Sequence, residues 1–217
     1  MPKWAAVFDW DGVIIDSGRF HEKSWELLAR EEGRALPDSY FKRGFGMANE
    51  GFIPRVLRWT QDPREVMRLG DRKEELYREL IRDEGIEPLP GVERWLEALH
   101  ASRVQCVVAS STCRFNIVTA LELIGLADHF AAIVAADDVS RGKPAPEVFL
   151  RAAEKIGMPP AQCVVFEDTH IGIEAAHAAG MKVVGVSTTH PADMLTGADR
   201  VVKRLDELAV EEIASWF

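Results

Sequence analysis

The 217-residue chain is 47% hydrophobic and 28% charged. This composition is typical of a soluble globular protein, and a chain of this length buries about 70% of its unfolded surface without needing disulfides. Its 35 acidic residues outnumber its 26 basic residues, for a formal net charge of −9. That charge argues against nucleic acid or an anionic membrane as partner, because both require a basic surface.

The sequence shows no pattern typical of a membrane span, a signal peptide, a disulfide framework or a zinc site. No uncharged apolar stretch reaches the length of about 18 residues that a membrane span requires. The first eleven residues already contain Asp9 and Asp11, which is not typical of a signal peptide. The three cysteines are odd in number and widely spaced, so they predict neither a disulfide framework nor a zinc site. We therefore expect a reducing, cytoplasmic setting. The sequence does not fix the oligomeric state, and we take a monomer as the default.

Short apolar runs predict buried strands at 4–9, 104–109, 131–135, 163–166 and 182–186. Apolar residues at helical spacing lie between the later runs. This alternation predicts an α/β fold, with a three-layer, Rossmann-like parallel sheet covered on both faces.

The segment 17–87 interrupts the alternation, because it contains no convincing strand pattern. One helix is predicted at 21–32. A second is predicted to begin at Asp62-Pro63, an N-cap followed by proline, and to run to about residue 83. We therefore predict a core formed by 1–16 and 88–217, with a helical domain inserted at 17–87.

Chemically active residues follow the predicted strands, and ligands of open parallel sheets bind beyond the carboxyl ends of the strands. Carboxylates with phosphate and water are typical Mg²⁺ ligands, and an aspartate can attack phosphorus. A lysine and hydroxyl groups can stabilise the charge of a transferring phosphoryl group. The residues concerned are Asp9 and Asp11 after the first strand, Ser110, Ser111 and Thr112 after the second, Lys143 before the fourth, and Glu167 and Asp168 after it.

Four segments carry a family resemblance: FDWDGV at 8–13, VVASS at 107–111, SRGKPAPEVF at 140–149 and FEDTHIGIEAA at 166–176. Together they resemble the four motifs of the haloacid dehalogenase superfamily. The resemblance covers essentially the whole chain, with the helical insert as the family's cap domain. The most similar subgroup contains β-phosphoglucomutase and sugar-phosphate phosphatases.

The resemblance implies a role for each motif residue. Asp9 would be the nucleophile, and Asp11 the general acid and base, with its carbonyl group helping to bind Mg²⁺. Ser110, Ser111 and Lys143 would bind the transferring phosphate. Glu167 and Asp168 would complete the metal site. The acid at position 11 favours phosphate-ester chemistry, because dehalogenases and phosphonoacetaldehyde hydrolases of the superfamily lack it.

Two cap residues leave alternatives open. Lys73 lies in the apolar stripe of the second helix, so either its stem packs there or its ammonium group meets an anionic substrate in the cleft between cap and core. The mutases have a lysine at the matching place. His21 shares a helix face with Trp25 and Leu28; it is either a packed core histidine or, as the resemblance implies, a partner of Asp11.

Two departures from the mutase pattern bear on the reaction. Asn49 stands where the mutases carry an arginine that grips a second phosphate, and Arg114 can only partly replace a lysine lost after the second motif. These changes favour a Mg²⁺-dependent phosphatase of a small phosphate ester, such as a sugar phosphate, over a phosphosugar mutase. A phosphate-ester-binding protein without activity is a third reading, disfavoured because binding alone needs no paired acid.

Overall fold

The computed structural model describes residues 3–44 and 47–217, so positions 1, 2, 45 and 46 of the predicted domains lie outside the described residues. Contacts within the chain define two compact units. One runs from the amino terminus to Asp16 and continues over Glu87–Phe217, and the other is Ser17–Ile86. The insert thus ends one residue before the predicted boundary at 87. The returning chain is held to the first unit by the backbone N–H of Leu89, which donates to the carbonyl of Ile14 at 2.8 Å.

The first unit contains a six-stranded sheet whose neighbouring strands are all parallel, in the order β3-β2-β1-β4-β5-β6. Five strands correspond to the predicted runs. The sixth is a three-residue edge strand that the apolar pattern missed, because it begins on a charged residue. The strands are β1 (Ala5–Phe8), β2 (Gln105–Ala109), β3 (Ala132–Val134), β4 (Cys163–Glu167), β5 (Lys182–Val186) and β6 (Arg200–Val202).

Helices cover both faces of this sheet, as the alternation predicts. The sheet helices are α5 (Val92–Ala101), α6 (Arg114–Ile124), α7 (Glu147–Lys155) and α8 (His170–Ala178), and α9 (Val210–Ala214) ends the chain. Phe149 of α7 and Ile173 of α8 join Val7, Val107 and Val165 in one core layer. In the other layer, Phe8 stacks on Phe166 with ring centroids 4.6 Å apart, and Trp95 of α5 meets Phe166 edge-on.

The described residues of the second unit form helices joined by loops and turns, with no strand. Its helices are α1 (Gly18–Glu31), α2 (Tyr40–Gly44), α3 (Asn49–Phe52) and α4 (Pro63–Glu84), with a π-helical turn at Ile53–Leu57. Asp62 caps α4 as predicted, since its side chain accepts a hydrogen bond from the N–H of Arg64 at 3.0 Å. Trp25 and Leu28 of α1 pack with Phe52, Leu69 and Leu76 in a core of their own.

No helix among residues 3–44 and 47–217 is both long enough and apolar enough to cross a membrane.

Candidate active site

The central strand β1 places the first candidate residue. Phe8, its last residue, pairs with Val108 of β2 on one side and with Phe166 of β4 on the other. Parallel strands in this register end at the same edge of the sheet. Asp9 therefore leaves β1 between the segment that follows β2 and Glu167 at the end of β4. Its N–H still donates to the carbonyl of Phe166 at 2.9 Å.

Lys143 joins the ends of β1 and β4. Its ammonium group donates to Oδ1 of Asp9 at 2.7 Å and to Oε1 of Glu167 at 2.8 Å. The lysine side chain is 3% exposed, so these charges interact away from solvent. The two carboxylates raise the pKa of Lys143 against the opposing effect of burial, and the lysine is charged throughout the physiological pH range.

Glu167 is positioned by the start of α8. Its Oε2 accepts hydrogen bonds from the N–H and the hydroxyl group of Thr169, at 2.6 and 2.9 Å. Thr169 is also the N-cap of α8, because its Oγ1 accepts from the N–H of Gly172 at 3.2 Å. One threonine therefore both caps the helix and orients the carboxylate.

Asp9, Glu167 and Asp168 form a buried group whose ligand-capable oxygens all lie within 4.8 Å of one another. Both Asp168 carboxylate oxygens are buried and lack a hydrogen bond of good geometry. Burial, followed by the charges of Glu167 and Asp9, raises the pKa of Asp168 well above its usual value, although an interaction with the Thr189 hydroxyl opposes the shift. A carboxylate buried in this way is the kind of group that a cation satisfies.

The pKa of Asp9 is also raised by burial and by neighbouring carboxylates. Burial raises its pKa to about 7, the charges of Glu167 and Asp11 contribute in the same direction, and Lys143 opposes the shift. Three carboxylates facing one ammonium group leave a formal excess of two negative charges. That excess matches the charge of one divalent cation, and oxygen donors suit Mg²⁺.

Thr112 forms hydrogen bonds with both Asp11 and Ser110. The hydroxyl group of Thr112 donates to Oδ2 of Asp11, and the Thr112 N–H donates to Oγ of Ser110 at 3.1 Å. Ser110 is 1% exposed, whereas Ser111 is exposed.

Arg114 is engaged elsewhere in the first unit. Its guanidinium group forms an ion pair with Asp138 and donates to the carbonyl of Ile133. Its charge is thus already compensated by a neighbouring carboxylate, and a part in binding substrate stays a prediction.

The three predicted residues of the second unit form a separate polar group. Nζ of Lys73 lies 2.7 Å from Nδ1 of His21, within hydrogen-bond distance. Lys73 also donates to Glu74 at 3.0 Å, and Asn49 donates to the same carboxylate at 2.8 Å. The His21 ring stacks on Tyr77 with centroids 4.3 Å apart. We call His21, Asn49, Lys73 and Glu74 the cap cluster.

Glu74 sets the charge of the cap cluster. Burial opposes its ionisation, but the charges of Lys73 and His21 and the hydrogen bond from Asn49 outweigh burial and lower its pKa to about 2. Lys73 is 3% exposed, so both members of this ion pair are largely removed from solvent.

Sequence reasoning missed the parts played by Thr112 and Glu74. Thr112 stood in the segment quoted after the second strand, so its position beside Asp11 could have been anticipated from the pairing of β1 with β2. Glu74 is one of several acidic residues of α4 and has no distinguishing sequence signal.

Comparison with known proteins identifies the family of the chain. A family model described as haloacid dehalogenase-like hydrolase matches residues 5–180. The 5-amino-6-(5-phospho-D-ribitylamino)uracil phosphatase of Arabidopsis thaliana is 38% identical over 96% of this chain, which spans 56% of that relative's length. The fructose-1-phosphate phosphatase YqaB of Escherichia coli is 34% identical, covering 83% of this chain and 94% of the relative. A β-phosphoglucomutase structure from Clostridium difficile superposes with a TM-score of 0.85 at 28% identity, covering 100% of this chain and 97% of that one.

The parallel sheet covered by helices on both faces is a Rossmann-like fold, and relatives that share it are named as phosphoryl-transfer enzymes. The chain belongs to the haloacid dehalogenase-like hydrolase family. Its relatives named as phosphatases support a phosphoric monoester hydrolase acting on phosphorylated metabolites.

Proposed function

We propose that the protein is a Mg²⁺-dependent phosphatase that hydrolyses a small phosphate ester through an aspartyl-phosphate on Asp9. The observation that carries the proposal is the buried group in which Lys143 bonds Asp9 and Glu167 at 2.7 and 2.8 Å, with Asp168 alongside. A purely structural role would not explain why the fold buries three carboxylates with one cation.

The donor set fits Mg²⁺. Asp9 and Asp168 would ligate the ion, with Glu167 beside them and the backbone carbonyl of Asp11 as a further oxygen donor. The buried oxygens of Asp168 without well-formed hydrogen bonds support this assignment. When bound, the cation supplies charge neutralisation for the carboxylates and for the phosphoryl oxygens.

The covalent steps then follow from the chain's own residues. A carboxylate oxygen of Asp9 forms a bond to phosphorus while the bond from phosphorus to the ester oxygen breaks, and Asp11 gives its proton to that departing oxygen. A water molecule next attacks phosphorus, Asp11 takes up its proton, and Asp9 is released with inorganic phosphate. Lys143 and Ser110 hold phosphoryl oxygens during both steps.

The cap cluster favours hydrolysis over mutase chemistry. A mutase must hold a second phosphate firmly, and each charge-assisted contact contributes roughly 1.5–3 kcal/mol. Here the Lys73 charge is compensated by Glu74, and Asn49 bonds the same carboxylate. These residues have little surplus positive charge to offer to a second phosphate, so we propose a substrate with one phosphate and an uncharged polar remainder, such as a sugar phosphate.

Phosphorus NMR tests the proposal directly. The protein, Mg²⁺ and fructose 1-phosphate, or β-glucose 1-phosphate with a trace of glucose 1,6-bisphosphate, are followed over time. We expect inorganic phosphate to accumulate. Growth of glucose 6-phosphate instead would establish the mutase. Asp9→Asn should lower turnover by at least about 10³-fold, whereas Asp193→Asn, an exposed aspartate, should not. Retained activity in Asp9→Asn would overturn the aspartyl-phosphate mechanism.

The molecular mass in solution is a separate test of the expected monomer. Light scattering at assay concentrations should give a mass near the 24.2 kDa of one chain. A cytoplasmic location stays a prediction.

A further inference from the structure

Thr112 is hydrogen-bonded to the loops that follow three neighbouring strands. Its hydroxyl group donates to Oδ2 of Asp11, in the loop after β1. Its N–H donates to Oγ of Ser110, at the end of β2, at 3.1 Å. Its carbonyl accepts from the N–H of Ala136, after β3, at 3.1 Å. One residue therefore connects two of the predicted site residues and braces both against a third loop.

The sheet explains this placement. Phe8 pairs with Val108, and Val107 pairs with Ala132, so β1, β2 and β3 are neighbours that run in the same direction. Residues a few positions beyond the end of each strand are brought to the same edge. Two backbone bonds fix the main chain of Thr112, and they leave its side-chain hydroxyl directed at Asp11.

From this arrangement we propose that Thr112 is a positioning residue for proton transfer by Asp11. This inference rests on the proposed function. Holding Oδ2 fixes the plane of the carboxyl group and the torsion angles of the Asp11 side chain. It thereby fixes the direction from which Asp11 gives its proton to the ester oxygen as the bond from that oxygen to phosphorus breaks. Thr112 itself exchanges no proton with substrate.

The proposal concerns one step, the departure of the alcohol. A sugar hydroxyl is a poor leaving group without a proton, whereas p-nitrophenolate leaves as a stable anion. Removing the Thr112 hydroxyl should therefore harm hydrolysis of a sugar phosphate much more than hydrolysis of p-nitrophenyl phosphate. A residue that only supports the fold would affect both substrates equally.

The test compares Thr112→Val with Thr112→Ser. Valine keeps the branched shape and both backbone hydrogen bonds but has no hydroxyl group, whereas serine keeps the hydroxyl. The ratio of kcat/KM for fructose 1-phosphate to kcat/KM for p-nitrophenyl phosphate is measured with saturating Mg²⁺. This parameter reports the steps up to alcohol release, so the later attack of water does not enter it. Urea unfolding of each variant shows whether it is folded.

We expect Thr112→Val to lower the ratio by about 10–100-fold, since general acid catalysis contributes about 10²–10⁴-fold and a misplaced group loses part of it. Thr112→Ser should restore the ratio to within about threefold of wild type. An equal loss on both substrates, or no loss on either, would overturn the proposal while the wild-type activity leaves the proposed function standing. A wild-type enzyme inactive on both esters would overturn the two together.

Discussion

Gly172 tests how tightly the Glu167 carboxylate is held. The glycine is the third residue of α8, and a Cβ atom built on it would lie 1.8 Å from Oε1 of Glu167 and 1.9 Å from its Cδ. Cβ contacts under 3.0 Å essentially do not occur. Gly172→Ala must therefore displace the carboxylate by about 1.2 Å, the difference between 3.0 and 1.8 Å.

Two opposing effects decide the sign of the change in stability. Alanine should stabilise a helix by roughly 0.5–1 kcal/mol relative to glycine. The displaced carboxylate would lose one or more of its bonds to Lys143 and Thr169, which are 2.6–2.9 Å long. Each such charge-assisted bond contributes roughly 1.5–3 kcal/mol. We therefore expect Gly172→Ala to lower the free energy of unfolding by about 1–2 kcal/mol.

Urea unfolding with EDTA measures this change, and the Mg²⁺ concentration that gives half-maximal phosphatase activity measures the effect on the metal site. That concentration should rise by about 10–100-fold, the usual effect of disturbing the groups that support a metal ligand. At the exposed position 174 of the same helix, Glu174→Ala and Glu174→Gly give the difference between alanine and glycine without the steric conflict. A Gly172→Ala protein at least as stable as wild type, with unchanged Mg²⁺ dependence, would refute the reasoning.

Two further substitutions test the buried ion pairs. Lys143→Met leaves Asp9 and Glu167 without their cation, so it should lower the free energy of unfolding in EDTA by about 3–5 kcal/mol and kcat by at least about 10²-fold. The control is Lys203→Met, at an exposed lysine. Equal stability of the two variants would contradict the pairing of Lys143 with the two carboxylates. The pKa of Glu74 is lowered from 4.5 to about 2 in the folded protein. Its ionised form therefore contributes about 3 kcal/mol to the free energy of unfolding above about pH 4.5. This contribution is lost as the pH falls toward 2. The free energies of unfolding of wild type and Glu74→Gln should therefore differ most near pH 7 and should converge as the pH falls toward 2. A difference independent of pH would count against the ion pair.

The sequence predicts the sheet well because parallel strands buried on both faces are short, continuous apolar runs. The run at 4–9, which became β1, ends on Asp9, and the run at 163–166, which became β4, is followed directly by Glu167. The edge strand at Arg200–Val202 has neither property. It is three residues long, begins on an exposed arginine and is defined by its pairing with β5, which is a contact between distant parts of the chain.

For the candidate site as well, the sequence predicts some features and not others. The presence of Asp9, Lys143 and Asp168 at one edge follows from the strand pattern and the order of the motifs. The partners of each group do not follow, because they depend on loop conformation. Sequence alone does not show that Lys143 bonds both Asp9 and Glu167, or that Asp138 takes the charge of Arg114.

The two units differ in how their charges are balanced, and this difference suggests a division of work. In the first unit, three carboxylates face one lysine, so the group favours a cation and, through it, a phosphoryl group. In the cap cluster, Glu74 compensates Lys73 and bonds Asn49, so the cluster offers directional hydrogen bonds with little surplus charge. Under the proposed function, phosphate recognition belongs to the residues that follow the strands, and the cap cluster has little surplus positive charge for a second phosphate.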